Sequence, residues 1–426
     1  MGAVVVVGAQ WGDEGKGKIV DIYSRHADVI VRYAGGANAG HTLVVDGDKV
    51  VFRLIPSGAL NPKTQCVLGQ GTVIDPQVLV TELEELKKRG LFAPERFVVS
   101  ERAHVVLPQH MLIDGLRESR SDSIGTTKKG IGPAYEDKAA RRGIRMGDLL
   151  SASKLEAKVQ QNLDAWAPVV AALGGTLPVL SDILRTYLEL GRELAPLIGE
   201  AARPVQQAIE SGKRVLLEGA QGAMLDVDSG TYPFVTSSAT TAGGACTGSG
   251  LGPTNISAVL GITKAYATRV GAGPFPTEMH DERGTALREA GDEYGAVTGR
   301  PRRCGWIDIP ALRHATRING LSGLAVTKID VLTGMDEISV CVAYERGGKR
   351  IDDLPYDGLG EVTPVYETFP GWTESIAGCR ALHELPKNAL RYVTAIEDLV
   401  GCKAWLVSVG RDREETIVVS NPWPAR

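Results

Sequence analysis

Apolar residues in this chain fall in short runs closed by glycine or polar clusters, and these runs alternate with stretches of helical spacing. Ala3 to Gly8 is dominated by valine and predicts a strand buried on both faces. Further strands are predicted at 28–34, 50–55, 66–68, 97–100, 214–217, 258–265, 324–327, 338–344 and 404–408. Helices are predicted at 18–25 and 76–90, the second capped by Asp75 with Pro76 in its first turn. The stretch 149–210 reads as mostly helical, broken by Gly174, Gly175 and Pro178. Strands alternating with helices predict an α/β fold built on a large, mainly parallel central sheet flanked by helices, with helical insertions. Ligands of such a sheet lie at the C-terminal strand ends, where this chain concentrates its 51 glycines.

Length fixes the scale. With 426 residues the chain is long for one ordinary core, and it reads as a single large α/β domain, 1–426, with the helical insertion at about 149–210. A formal net charge of −4 gives no bulk attraction to nucleic acid or an anionic membrane, so an anionic ligand has to be held by local basic groups. The start, Met1-Gly2-Ala3-Val4-Val5, has no basic region, and its apolar run is too short for a signal peptide. Six scattered cysteines without a CxxC pair argue against zinc and suit reduced cytosolic thiols. A cytoplasmic protein is expected.

The most informative segment follows the first strand: Gly12-Asp13-Glu14-Gly15-Lys16-Gly17-Lys18. Amides at a helix start, approached closely through glycine, form an anion cradle. The spacing of Gly12, Gly17 and Lys18 fits GxxxxGK and implies a P-loop-NTPase-like sheet, but Ile19 stands where a P-loop has Ser or Thr for Mg²⁺. Another ligand has to hold the metal. Asp13 is a candidate for that and for taking a proton from a substrate. A charged surface turn is the competing reading. The second strand leads into Gly35-Gly36-Ala37-Asn38-Ala39-Gly40-His41-Thr42, where His41 offers an acid and Gly40 a bare carbonyl for a metal. A histidine on such a loop is as often structural as functional.

Long motifs then resemble the adenylosuccinate synthetase family: Gln10 to Lys18, Gly130 to Lys138 followed by Arg141, Arg142, Gly143 and Arg145, Val270 to Glu278, and Thr298 to Trp306. They occur in order over essentially the whole chain. The resemblance implies a ligase of purine biosynthesis that makes adenylosuccinate, GDP and phosphate from IMP, GTP and L-aspartate, the first committed step from IMP toward AMP. GTP phosphorylates O6 of IMP, and the aspartate amine displaces that phosphate. Asp13, His41 and Lys16 are implied as catalytic, with Mg²⁺ held by Asp13 and the Gly40 carbonyl. GTP contacts are implied at Gly12, Asp13, Glu14, Gly15, Lys16, Gly17 and Lys18, at Gly40, His41 and Thr42, at Arg302, at Lys328, Ile329 and Asp330, and at Ser408, Val409 and Gly410. IMP contacts are implied at Asp13, Glu14, Gly15 and Lys16, at Asn38, Ala39, Gly40 and His41, and at Thr127, Arg141, Gln221, Thr236 and Arg300. The aspartate grip is implied at Ala296, Val297, Thr298, Gly299, Arg300, Pro301 and Arg302, with Arg303 beside them. Arg141 matches a residue donated to the neighbouring subunit's IMP site, which implies a homodimer.

Physical chemistry agrees at several of these positions. A carboxylate at Asp330 suits the N1 and N2 donors of guanine, which adenine lacks. Forked guanidinium groups suit the two carboxylates of aspartate. The sequence departs from many relatives at Val297, where they carry Thr, and at Arg411, where they carry Pro. Two rival readings remain at this point. A regulatory GTPase switch shares the phosphate loop and the Lys-x-Asp reader but wants Ser or Thr after Lys18. A different phosphate-activating ligase would act on another acid.

Overall fold

Valine at four successive positions leaves no polar face, and in the computed structural model every residue of the strand Ala3–Gly8 is buried. The structure describes residues 2–45, 48–120, 123–295 and 299–423, and the side chains of all of these except 41–50. The chain divides into two units. One comprises Met1–Ala3, Tyr23–Ala220 and Thr236–Ser257, and the other Val4–Ile22, Gln221–Val235 and Ala258–Arg426.

In the unit carrying the glycine loop, strand order runs Thr416–Val418, Ala404–Ser408, Gly323–Thr327, Ile256–Lys264, Ala3–Gly8. Ile256–Lys264 pairs with Gly323–Thr327 in parallel, with Leu260 opposite Gly323, and the last strand pairs antiparallel. A core of buried side chains, including Leu324, Val326, Leu312 and Tyr392, packs beneath. The other unit orders Val215–Glu218, Val29–Arg32, Gln65–Leu68, Phe97–Ser100 and Ile198–Gly199, all parallel. Its core includes Leu83, Leu155, Leu190 and Leu194. The fold class is the expected one, mainly parallel sheet flanked by helices. No helix among the described residues is long and apolar enough to cross a membrane.

Phe97–Ser100 and Ala404–Ser408 fall where the apolar runs place them. Asp75 caps Pro76–Lys88 by accepting from the amides of Gln77 and Val78. The helical stretch consists of Ala152–Ala172, Leu180–Leu194 and Ala202–Glu210. The run at 338–344 differs from expectation. It belongs to Glu337–Arg346, which pairs antiparallel with Thr363–Pro370 in a separate small sheet. An apolar run fixes burial and not the direction of its neighbour. His41, expected on a loop, opens the hairpin strand His41–Val45, paired antiparallel with Asp48–Phe52.

One buried carboxylate organises the helices around Asp137, whose side chain is fully buried. It accepts from Asn162 Nδ2 at 2.5 Å and Trp166 Nε1 at 3.0 Å, and pairs with Arg142 at 2.5 Å. His110 Nδ1 accepts from the Leu107 amide, so its Nε2 carries the proton donated to Asp137 at 2.8 Å. Burial alone would raise the Asp137 carboxyl, but the bonds from His110, Trp166 and Asn162 outweigh it and hold it at about 2. A depressed carboxyl stabilises the fold fully above its unfolded value near 4 and loses that contribution as pH falls toward 2. Asp137→Asn is therefore expected to cost about 2 kcal/mol at neutral pH and to flatten the acid limb below about pH 4. Acid unfolding followed by tryptophan fluorescence checks this, and an unchanged acid midpoint would refute it.

Candidate active site

The glycine loop is built around its own carboxylates. Gly12 and Gly15 take φ of 89° and 90°, and Asp13 takes 57°, a left-handed conformation that Asp tolerates better than most residues. Glu14 is fully buried and accepts from the amides of Gln10 at 3.1 Å and Gly12 at 2.9 Å. Lys16 Nζ neutralises it at 2.5 Å. Glu14 thus shapes the loop from inside. A Cβ on Gly8 would meet Glu14 Oε2 at 2.5 Å and the Gln221 carbonyl at 2.6 Å, so only glycine fits there. Lys18, the lysine of the GxxxxGK spacing, turns toward the last strand. It donates to Ser408 Oγ at 2.7 Å and the Gly410 carbonyl at 2.8 Å, and burial brings it down to about 8. The loop and the 408–410 segment are thereby tied together.

Asp13 has its carboxylate on the outside, 41 % exposed, and pairs with Arg302 Nε at 2.7 Å. This ion pair joins two segments that the sequence separates by about two-thirds of the chain. Arg302 also reaches Glu293 Oε2 through Nη1 at 2.7 Å. Arg300 is exposed, as are Gly299 and Pro301. Ala296, Val297 and Thr298 lie outside the described residues. Arg303 goes elsewhere: it grips Glu278 at 2.9 Å and 2.5 Å and donates to the Gly273 carbonyl at 2.8 Å. The Val270 to Glu278 motif thus anchors the arginine strand.

After the strand Gly323–Thr327, Thr327 Oγ1 donates to the Glu14 carbonyl at 2.6 Å, which sets this strand end beside the loop. Lys328 takes φ of 57° and sends its ammonium to the Gly291 carbonyl at 2.5 Å and Glu293 at 2.8 Å. Ile329 is buried beneath the turn. Asp330 Oδ1 is buried and has no hydrogen-bond partner among the described residues, and burial raises the carboxyl above its ordinary range. Gln221 Oε1 is likewise buried without a partner, on a residue at φ 55°. A donor from a ligand or from water completes buried acceptors left open in this way.

In the other unit, Asn38 Oδ1 accepts from the Gly36 amide at 3.3 Å, and Ala39 donates its amide to the Gly36 carbonyl at 3.2 Å. Gly40 precedes the hairpin. The side chains of His41 and Thr42 lie outside the described residues. Thr127 is exposed on a loop tied down by Asp114, which accepts from Thr126 Oγ1 at 2.8 Å and the Gly130 amide at 2.9 Å. Thr236 is half-buried. Arg141 is exposed at φ 63°, just past the helix that Asp137 anchors.

Sequence reasoning missed Glu293 and Lys264. Both are fully buried and lie 2.8 Å apart. The available signal was a glutamate just ahead of an arginine run, which by itself reads as a solvated turn.

A model of the adenylosuccinate synthetase family matches residues 5–417. The chain belongs to this family. It is 54 % identical over 424 residues to the adenylosuccinate synthetase of Sorangium cellulosum, covering 99 % of each chain. It is 53 % identical over 431 residues to that of Myxococcus xanthus, again covering 99 % of each. The solved structure of the fully ligated adenylosuccinate synthetase of Plasmodium falciparum superposes with a TM-score of 0.92 at 39 % identity, covering 98 % of this chain and 100 % of that one. Membership of the adenylosuccinate synthetase family makes the chain a GTP-dependent ligase that acts on IMP and L-aspartate.

Proposed function

We propose that this chain makes adenylosuccinate with Asp13 as the group that accepts the N1 proton of IMP while GTP phosphorylates O6. The Asp13–Arg302 pair carries this reading, because it sets a loop carboxylate against an arginine suited to the carboxylates of L-aspartate. An amide-like oxygen leaves C6 poorly, and phosphorylation turns it into a good leaving group for attack by the aspartate amine. Loss of the N1 proton pushes electron density onto O6 as it meets the γ-phosphoryl group. Lys16 and the amides around Gly15 and Gly17 neutralise and position the phosphates, and His41 serves as the acid. Asn38, Ala39, Thr127, Gln221, Thr236 and Arg300 hold IMP. The loop at 296–302 grips aspartate, with Arg302 as its forked donor. Asp330 and the Ser408 to Gly410 segment read guanine.

The donor set fits magnesium. The candidate donors, the Asp13 carboxylate and a backbone carbonyl, are oxygens, the ligands a hard cation such as Mg²⁺ takes together with phosphate and water. Asp13 and the Gly40 carbonyl would hold it, and it would neutralise charge on the GTP phosphates. The same reading has the chain acting in the cytoplasm as a homodimer, with Arg141 reaching the neighbouring subunit's IMP.

The test is an omission assay. GTP, IMP, L-aspartate and Mg²⁺ together are expected to change the purine absorbance, and leaving out any one abolishes the change. GTP hydrolysis that needs no IMP would favour a switch protein, and indifference to IMP would favour a ligase for another acid.

A further inference from the structure

Glu293 is fully buried, and the charged groups around it come from separate stretches of sequence. Lys264 Nζ and Lys328 Nζ each lie 2.8 Å from Oε1, and Arg302 Nη1 lies 2.7 Å from Oε2. The Tyr266 hydroxyl donates to Oε1 at 2.5 Å. Burial alone would raise this carboxyl, but the cations of Lys264, Lys328 and Arg302 outweigh it and hold it ionised, well below the usual range. The backbone adds to the side chain, since the Arg302 amide donates to the Glu293 carbonyl at 2.9 Å.

We propose that Glu293 is a positioning residue that holds the aspartate-gripping Arg302 and the guanine-reading turn at Lys328 on one carboxylate, and so sets the affinity for both L-aspartate and the guanine nucleotide. The proposal rests on the assignments of Arg302 and Asp330 made above. Arg302 stands between two carboxylates, Asp13 and Glu293, each at 2.7 Å. Once Asp13 turns to IMP, Glu293 is the carboxylate among the described residues that keeps the guanidinium oriented. On the other side, Lys328 holds a left-handed conformation two residues before Asp330, and its ammonium is fixed by Glu293 and the Gly291 carbonyl. Without Glu293, Lys264, Lys328 and Arg302 would lose the carboxylate they share and would repel one another. Arg302 and Lys328, being partly exposed, would move first.

Two variants test this. Glu293→Gln removes the charge. The double variant Glu293→Gln with Lys264→Met also removes the buried partner, so the core keeps its charge balance and folding is protected. Both are expected to raise the KM for L-aspartate and for GTP about tenfold while the KM for IMP stays within about twofold. A residue that only supports the fold would lower the thermal midpoint and leave these ratios alone. Folded variants with aspartate and GTP KM within about twofold of the parent, or with all three KM raised alike, would overturn the proposal. Arg302→Leu and Asp330→Asn run alongside. If they leave the aspartate KM and the nucleotide preference untouched, the underlying assignments fail. If they act and the Glu293 variants do not, the positioning role alone fails.

Discussion

Asp13→Asn is expected to lower kcat by about 10²–10⁴-fold, the range by which a positioned proton acceptor speeds such steps. Asparagine is the informative replacement. Residue 13 sits at φ 57°, where Asn is tolerated at least as well as Asp, whereas alanine would add about 1–2 kcal/mol of backbone strain. The amide keeps the shape of the loop, and Glu14 with Lys16 still brace it from inside. The ability to take the IMP N1 proton is lost, together with the charge that meets Arg302. Steady-state kinetics with circular dichroism checks both halves of the claim: a folded variant with near-normal kcat removes Asp13 from the chemistry. Mixing this variant with Arg141→Leu tests the shared site. If chains pair at random, about a quarter of sites would combine an intact Asp13 with an intact Arg141 from the neighbour, and activity would return to about that level. No recovery on mixing would argue against sharing.

What could be read from sequence follows a physical line. Runs such as Ala3 to Gly8 and Ala404 to Ser408 carry their burial in their composition, so their strands are legible locally. The partner of Glu337–Arg346 is not, because the same apolar run serves a parallel or an antiparallel neighbour. Helices such as Ile131–Ala139 and Ala242–Ser249 are short and rich in glycine or small residues, and their form depends on tertiary support more than on propensity.

The candidate site divides in the same way. Asp13 declares itself because a carboxylate inside a phosphate loop is costly unless it has a task. Asp330 is weak as a lone Lys-x-Asp turn and gains weight from its place after a buried strand and from the family resemblance; the structure adds a buried oxygen with no hydrogen-bond partner among the described residues. Arg302 and Arg303 look equivalent in the sequence, yet one faces Asp13 and the other is committed to Glu278. Glu293 is invisible without coordinates, because a buried carboxylate is stable only where cations from distant segments converge on it.

Asp330→Asn is expected to cut the preference for GTP over ATP by about ten- to hundredfold in kcat/KM, the worth of one charged hydrogen bond. The carboxylate of Asp330 has a buried oxygen with no protein donor among the described residues, and burial raises its pKa despite the nearby Lys18 and Lys328 ammonium groups, so the unliganded site leaves one acceptor open. Guanine supplies two donors on one edge, N1–H and the N2 amine, and so relieves that cost. Adenine presents an acceptor at N1 and no amine at C2, which would set lone pair against lone pair. Asparagine keeps one acceptor and turns an N–H₂ toward the base, losing one guanine bond and offering adenine N1 a donor. The loss for GTP and the gain for ATP therefore come from the same atom. Competition between the two nucleotides at fixed IMP and aspartate measures the ratio, and a variant that discriminates as the parent does would take the guanine reader away from Asp330.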